Sequence, residues 1–224
     1  SPHFNLSVSS GDTPADYVDS IKILIFFTML TLLPSFIIMF TSFTRITVVF
    51  SLLKNAIGAQ QSIPSQILVG LAIFLTIFIM QPVYTEINEV ALKPYSNEEI
   101  TFEQALENAS NPIKDFMLKE TRQKDLELFV DAAKLNSGEL TRKNIPLYSI
   151  VPAFAISELK TAFQIGFLLF VPFMVIDMIV ASVLMSMGMM MLPPTVISLA
   201  FKLLLFVMVD GWNLIVKSLI TSFS

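Results

Sequence analysis

The chain has no cysteine and one histidine, and only 14% of its 224 residues are charged. The missing thiols exclude disulfide frameworks, cysteine nucleophiles and cysteine-held zinc, and they leave the redox compartment open, since oxidising and reducing locations both accept such a chain. His3 lies in a polar tail without the partners that acid–base or ligand work needs, and reads as a surface residue. A net charge of −4, from 14 Lys+Arg against 18 Asp+Glu, offers no basic face to nucleic acid. No Ser/His/Asp set, Gly-rich phosphate loop or metal-ligand spacing can be assembled, so no catalytic, cofactor or metal residue is assigned. Glu98-Glu99 is a carboxylate pair in a polar segment, with no apolar pocket to raise a pKa.

What the chain has instead is apolar surface. Hydrophobic residues make up 54% and the mean hydropathy is +0.72, whereas a soluble domain carries roughly 25% charge. That places the chain among membrane proteins of all-α class, as two long kinked helical hairpins with a soluble helical domain between them.

The first residue is Ser1, and the reading taken is a cleaved leader that puts residues 1–20 on the far side of the cytoplasmic membrane. Ile23 to Thr44 is free of charge, long enough for a helix of about 33 Å, which matches a bilayer core. Arg45 and Lys54 follow, and a second apolar run covers Ile63 to Val83. Both charges of that connector are positive, which predicts a cytoplasmic connector and an extracytoplasmic insert. The first hairpin is thus 21–85. Glu86 to Lys143 holds 20 of the 32 charges, 12 acidic and 8 basic, and the insert is drawn as 86–150. Asn111-Pro112 predicts a helix start there. Phe102, Ala105, Leu106 and Ala109, then Leu126, Phe129, Val130 and Ala133, keep helical spacing, with Gly138 as a stop. The second hairpin is 151–224. Its arms are divided at Met185 to Pro194, where Gly188 and Pro193-Pro194 oppose a continuous helix.

Three features could carry function. Seven of the twelve methionines lie between Met174 and Met191, and Met187, Met189, Met190 and Met191 crowd the helix-breaking turn. Methionine is flexible and polarizable, so such a turn could close a constriction and reopen around varied cargo. A methionine-rich membrane core is the competing reading and suits Met174 and Met178. Second, Glu158, Lys160, Asp177, Lys202, Asp210 and Lys217 interrupt apolar stretches, and each needs protein or water rather than lipid beside it. Glu158 and Lys202 sit on opposite arms of one hairpin and could pair within a subunit or between neighbours, while Lys202 and Lys217 could instead snorkel. Third, Pro34 and Pro172 are expected to bend their helices, which suits gates and curved assemblies, although membrane helices also tolerate such prolines structurally.

Thr41-Ser-Phe-Thr-Arg-Ile46 with Leu53-Lys-Asn-Ala-Ile-Gly58, the run Gln66 to Pro82, Pro152-Ala-Phe-Ala-Ile-Ser-Glu-Leu-Lys-Thr-Ala-Phe-Gln-Ile-Gly166, Val183-Leu-Met-Ser-Met-Gly-Met-Met-Met-Leu-Pro-Pro194 and Asp210-Gly-Trp-Asn213 together resemble the FliP family of the flagellar type III export gate, related to the SctR proteins of injectisomes. The resemblance implies a non-enzymatic subunit that self-associates, as a pentamer, and joins FliQ and FliR in the entry pore for unfolded substrates, with FlhB and FlhA as further export components. It implies an inner-membrane location at the flagellar basal body with a periplasmic-side domain. It also implies that Met187, Met189, Met190 and Met191 form part of a pore gasket, that Glu158 and Lys202 bridge adjacent subunits, and that no cofactor is involved. Three other readings stay open: an autonomous small-solute or ion transporter using Asp177, Lys202 and Asp210 as a relay, a purely structural ring component whose pore is lined by partners, and an injectisome gate subunit.

Overall fold

The computed structural model describes residues 14–60, 62–135, 141, 144–189 and 193–223. Among the described residues the chain is all-helical, without strands. It divides into two units, Ser1–Ile38 and Met39–Ser224. Most of the first apolar helix, α1 (Pro14–Phe40), forms the first unit, and it continues unbroken through Pro34.

The second unit begins where the apolar run expected to be one helix to Thr44 breaks at Thr41-Ser42. The Thr41 hydroxyl accepts the Phe43 N–H (3.4 Å), a local side-chain bond that competes with helix continuation. Helix α2 (Phe43–Ile57) then buries Ile46, Val49, Phe50, Leu53, Ala56 and Ile57, the three-and-four spacing of one helical face. It ends on Gly58 (φ +80°), whose N–H reaches Asn55 O while the Ala59 N–H reaches Lys54 O, both 3.1 Å, a Schellman closure.

Helix α3 (Ser65–Ile87) passes into a π-helical turn, Asn88–Leu92, and the short α4 (Lys93–Ser96). Pro94 has no N–H for the carbonyl four residues back, and the Asn108 side-chain amide donates to that Val90 carbonyl instead (3.1 Å). The freed backbone acceptor therefore ties the π-helical turn to the helix that follows α4.

The insert holds α5 (Phe102–Glu120) and α6 (Gln123–Ala132). The helix start expected at Asn111-Pro112 is not there, because α5 runs through Pro112. It starts nine residues earlier than Asn111, on a capping box in which Thr101 Oγ1 accepts the Gln104 N–H and Gln104 Oε1 accepts the Thr101 N–H. Of the expected α5 stripe Ala105 is buried, while Phe102 and Leu106 face outward. Gly138 lies outside the described residues.

Helix α7 (Leu147–Ser186) is 40 residues long, about 60 Å, twice a bilayer core. It runs unbroken through Pro152 and Pro172. Its largest partner is α2, and the approach is close because small residues line it. Ala162 and Gly166, four apart, are both buried, and a Cβ on Gly166 would stand 2.2 Å from a Leu52 methyl. The arm expected to return as one apolar run to Phe223 is broken: α8 (Pro194–Met208) and α9 (Gly211–Thr221) bend by 64°. The break falls at Asp210, in left-handed conformation (φ 52°), and below it Trp212 sets its edge against Phe206 (5.3 Å). Helices α3 to α4 and α7 are long and apolar enough to cross a membrane, and the bent α8–α9 pair could be a third, broken span.

Candidate functional site

Arg45 is the largest fully buried side chain, 2% exposed, although it looks from the sequence like a surface charge of a cytoplasmic connector. It lies at the start of the i, i+4, i+8 series Arg45, Val49, Leu53, so α2 carries it inward on the same face as its core residues. There its guanidinium grips Glu158, wholly buried on α7, through two bonds: Nε donates to Oε2 (3.0 Å) and Nη2 to Oε1. The fork matches a carboxylate edge, a geometry lysine cannot supply. Nη2 also donates to Glu120 at the end of α5 (2.8 Å), and Nη1 to the carbonyl (2.7 Å) and hydroxyl (3.0 Å) of Ser222. The ring of Phe223 lies 3.7 Å from the guanidinium carbon and stacks on Phe116, which meets Phe154 edge-on. One cation thus joins α2, α5, α7 and the end of α9.

A second ion pair lies on the other arm. Lys202 of α8 meets Asp177 of α7 (2.5 Å) and donates to the Ala56 carbonyl in the last turn of α2 (3.1 Å), where a cation suits the helix dipole. The other Asp177 oxygen accepts the Ser198 hydroxyl (2.6 Å). Glu158 and Lys202 therefore do not meet inside the chain, and each holds another partner. Asp177 and Lys202 are joined to each other, while Asp210 stands exposed at the α8–α9 break.

In the insert, Asp125 closes the first turn of α6 onto α7. It accepts the Ser157 hydroxyl (2.6 Å), which in turn accepts the Arg122 N–H (3.0 Å), and Arg122 pairs with Asp125 (2.5 Å). The Ser157 bond, reinforced by Arg122, holds the Asp125 carboxyl below its ordinary pKa against the opposing effect of burial.

The methionine turn is different in kind. Helix α7 stops at Ser186, Gly188 is left-handed (φ 72°), and α8 starts with Pro194 in its first position. The break expected at this point is present. Met185, Met187 and Met189 are 59%, 61% and 41% exposed, while Met190 and Met191 lie outside the described residues. Among the described residues no cluster of acidic or histidine side chains is arranged to hold a metal.

Sequence reasoning missed Arg45, Glu120 and the Ser157–Asp125 link. The signal for Arg45 was its register with Val49 and Leu53, but Glu120 is 75 residues away and leaves no local trace.

Buried ion pairs inside apolar hairpins, outward-facing apolar helices and a soft turn define a helical membrane protein built to be covered by lipid or other chains. The FliP family model matches residues 26–219, and the chain belongs to that family. It is 54% identical over 218 residues to the flagellar biosynthetic protein FliP of Bacillus subtilis (strain 168), covering 97% of this chain and 98% of that one. Its identity to the protein of the same name from Aquifex aeolicus is 50% over 223 residues (99% and 92% covered). To that of Caulobacter vibrioides it is 53% over 196 residues (88% and 73% covered).

Proposed function

We propose that this chain is a channel-forming, non-catalytic subunit of the flagellar type III export gate in the bacterial inner membrane. Several copies join FliQ and FliR, with FlhB and FlhA as further components, in a pore for unfolded flagellar substrates. The observation that carries this is the combination of the family match over 26–219 with surface that one chain leaves uncovered. Only 17% of the most apolar window of α7, and 28% of that of the α3–α4 span, is buried within the chain. Apolar area returns roughly 25 cal/mol per Å2 when removed from water, so such faces have to meet lipid or neighbouring chains. Two charged groups that would resist this, Arg45 and Glu158, are closed within the chain and leave the outer faces free for contact.

In the assembly the methionine turns from several copies converge as a gasket: flexible thioethers seal by packing and yield to an unfolded chain without specific chemistry. Bends at Pro34 and Pro172 would help the hairpins converge, since each proline leaves the carbonyl four residues earlier without its helical donor. The test is ion conductance of membranes carrying the assembled gate. Met187→Ala with Met189→Ala is expected to make the closed gate leak, and an unchanged conductance would reduce the turn to scaffold. A bridge from Glu158 of one copy to Lys202 of the next would require both to leave Arg45 and Asp177, at the cost of stranding those partners. Glu158→Lys should then block assembly and adding Lys202→Glu should restore it; no rescue would remove the bridge.

A further inference from the structure

Without cysteine, the twelve methionines are the chain's only sulfur. They occupy contrasting environments. Met80 and Met117 are sealed in the interior, 2% and 0% exposed, whereas Met185, Met187 and Met189 project from the end of α7 and its turn. The turn is also open at its backbone: a Cβ on Gly188 would meet nothing within 4 Å. Met29, Met39, Met174, Met178 and Met208 are exposed too, but they lie within apolar helices, where lipid would screen them from a water-soluble reagent, whereas Met185 stands in the last turn of α7, beside the break.

We propose that Met185, Met187 and Met189 form a modification site for hydroperoxides. The thioether sulfur attacks one peroxide oxygen; the S–O bond forms as the O–O bond breaks. Sulfur loses two electrons, and the peroxide is reduced to an alcohol, or to water from hydrogen peroxide, its proton moving to the departing oxygen. The product sulfoxide is polar and chiral where the thioether was apolar. Its effect on permeability rests on the gate reading above: sulfoxide oxygens accept hydrogen bonds and would hold water inside a seal that works by excluding it.

The test treats membranes containing the full chain with hydrogen peroxide and follows oxygen addition at each methionine by peptide mass spectrometry. Met185, Met187 and Met189 should react roughly tenfold faster than Met80 and Met117, as exposure dictates. Equal rates would overturn the assignment. In the assembled gate, the same treatment should raise ion conductance, methionine sulfoxide reductases should reverse the rise, and Met185→Leu/Met187→Leu/Met189→Leu should suppress it while keeping the apolar bulk. A rise that persists undiminished in the leucine variant would also overturn the assignment. Met187→Ala with Met189→Ala separates the two ideas. A leak there, without one after demonstrated oxidation, discards the modification proposal and keeps the gate. No leak in either discards the gate reading and the permeability effect with it, while the oxidation map still stands or falls alone.

Discussion

Around Arg45 the chain turns its charge inward, and between Met185 and Met189 it turns apolar sulfur outward; the two regions invert the usual arrangement of a soluble domain. At Arg45, Glu158 takes the Nε–Nη2 edge of the guanidinium with both carboxylate oxygens, and Glu120, Ser222 and Phe223 close the rest. That region is complete within one chain. The turn has no such closure: its three described methionines are exposed. The difference separates a region closed within the chain from one left open at the surface, and it makes the two respond differently to mutation.

The largest effect on stability is expected at the hub. Arg45→Met removes the cation paired with the fully buried Glu158, and should cost about 3–5 kcal/mol, the usual penalty for stranding one member of a buried pair. A large drop in the thermal midpoint in detergent checks it, and Arg45→Lys should recover only part, because a lysine cannot engage both carboxylate oxygens side-on. A fully stable Arg45→Met would make the hub dispensable.

Ser157→Ala should cost less, about 1.5–3 kcal/mol, the range for a hydrogen bond to a charged group. Because the Asp125 carboxyl is held below its ordinary value in the fold, its contribution is complete above that value, near pH 4, and is lost as pH falls through the lowered folded one. Ser157→Ala should therefore narrow its stability gap from the parent as pH falls below 4. A gap independent of pH would deny the Ser157–Asp125 link. Smallest of all, Met187→Ala with Met189→Ala should shift unfolding by less than about 0.5 kcal/mol, as surface changes do, even while it opens the gate. A marked destabilisation would turn the comparison round and make the turn part of the core.

Much of the fold was legible from local chemistry. Gly188 with Pro193-Pro194 marked the end of α7 and the start of α8. Where reading failed, a local rule lost to another. Pro112 looked like a helix start, but the Thr101–Gln104 capping box lay upstream and the helix absorbed the proline. The uncharged run through Thr44 looked continuous, but side-chain bonding at Thr41 cut it. The ionic site was legible only in its components. Glu158 and Lys202 stood out as charges in need of partners, yet α7 carries Glu158 to an arginine 113 residues away, and nothing in residue spacing encodes a contact made by packing three segments together.

The central claim is that these hairpins are completed by copies of the same chain. The native mass of the detergent-extracted particle, measured with and without FliQ and FliR, tests it most directly. The account predicts a particle containing several copies of the 25.0 kDa chain. A stable, folded monomer under both conditions would contradict it.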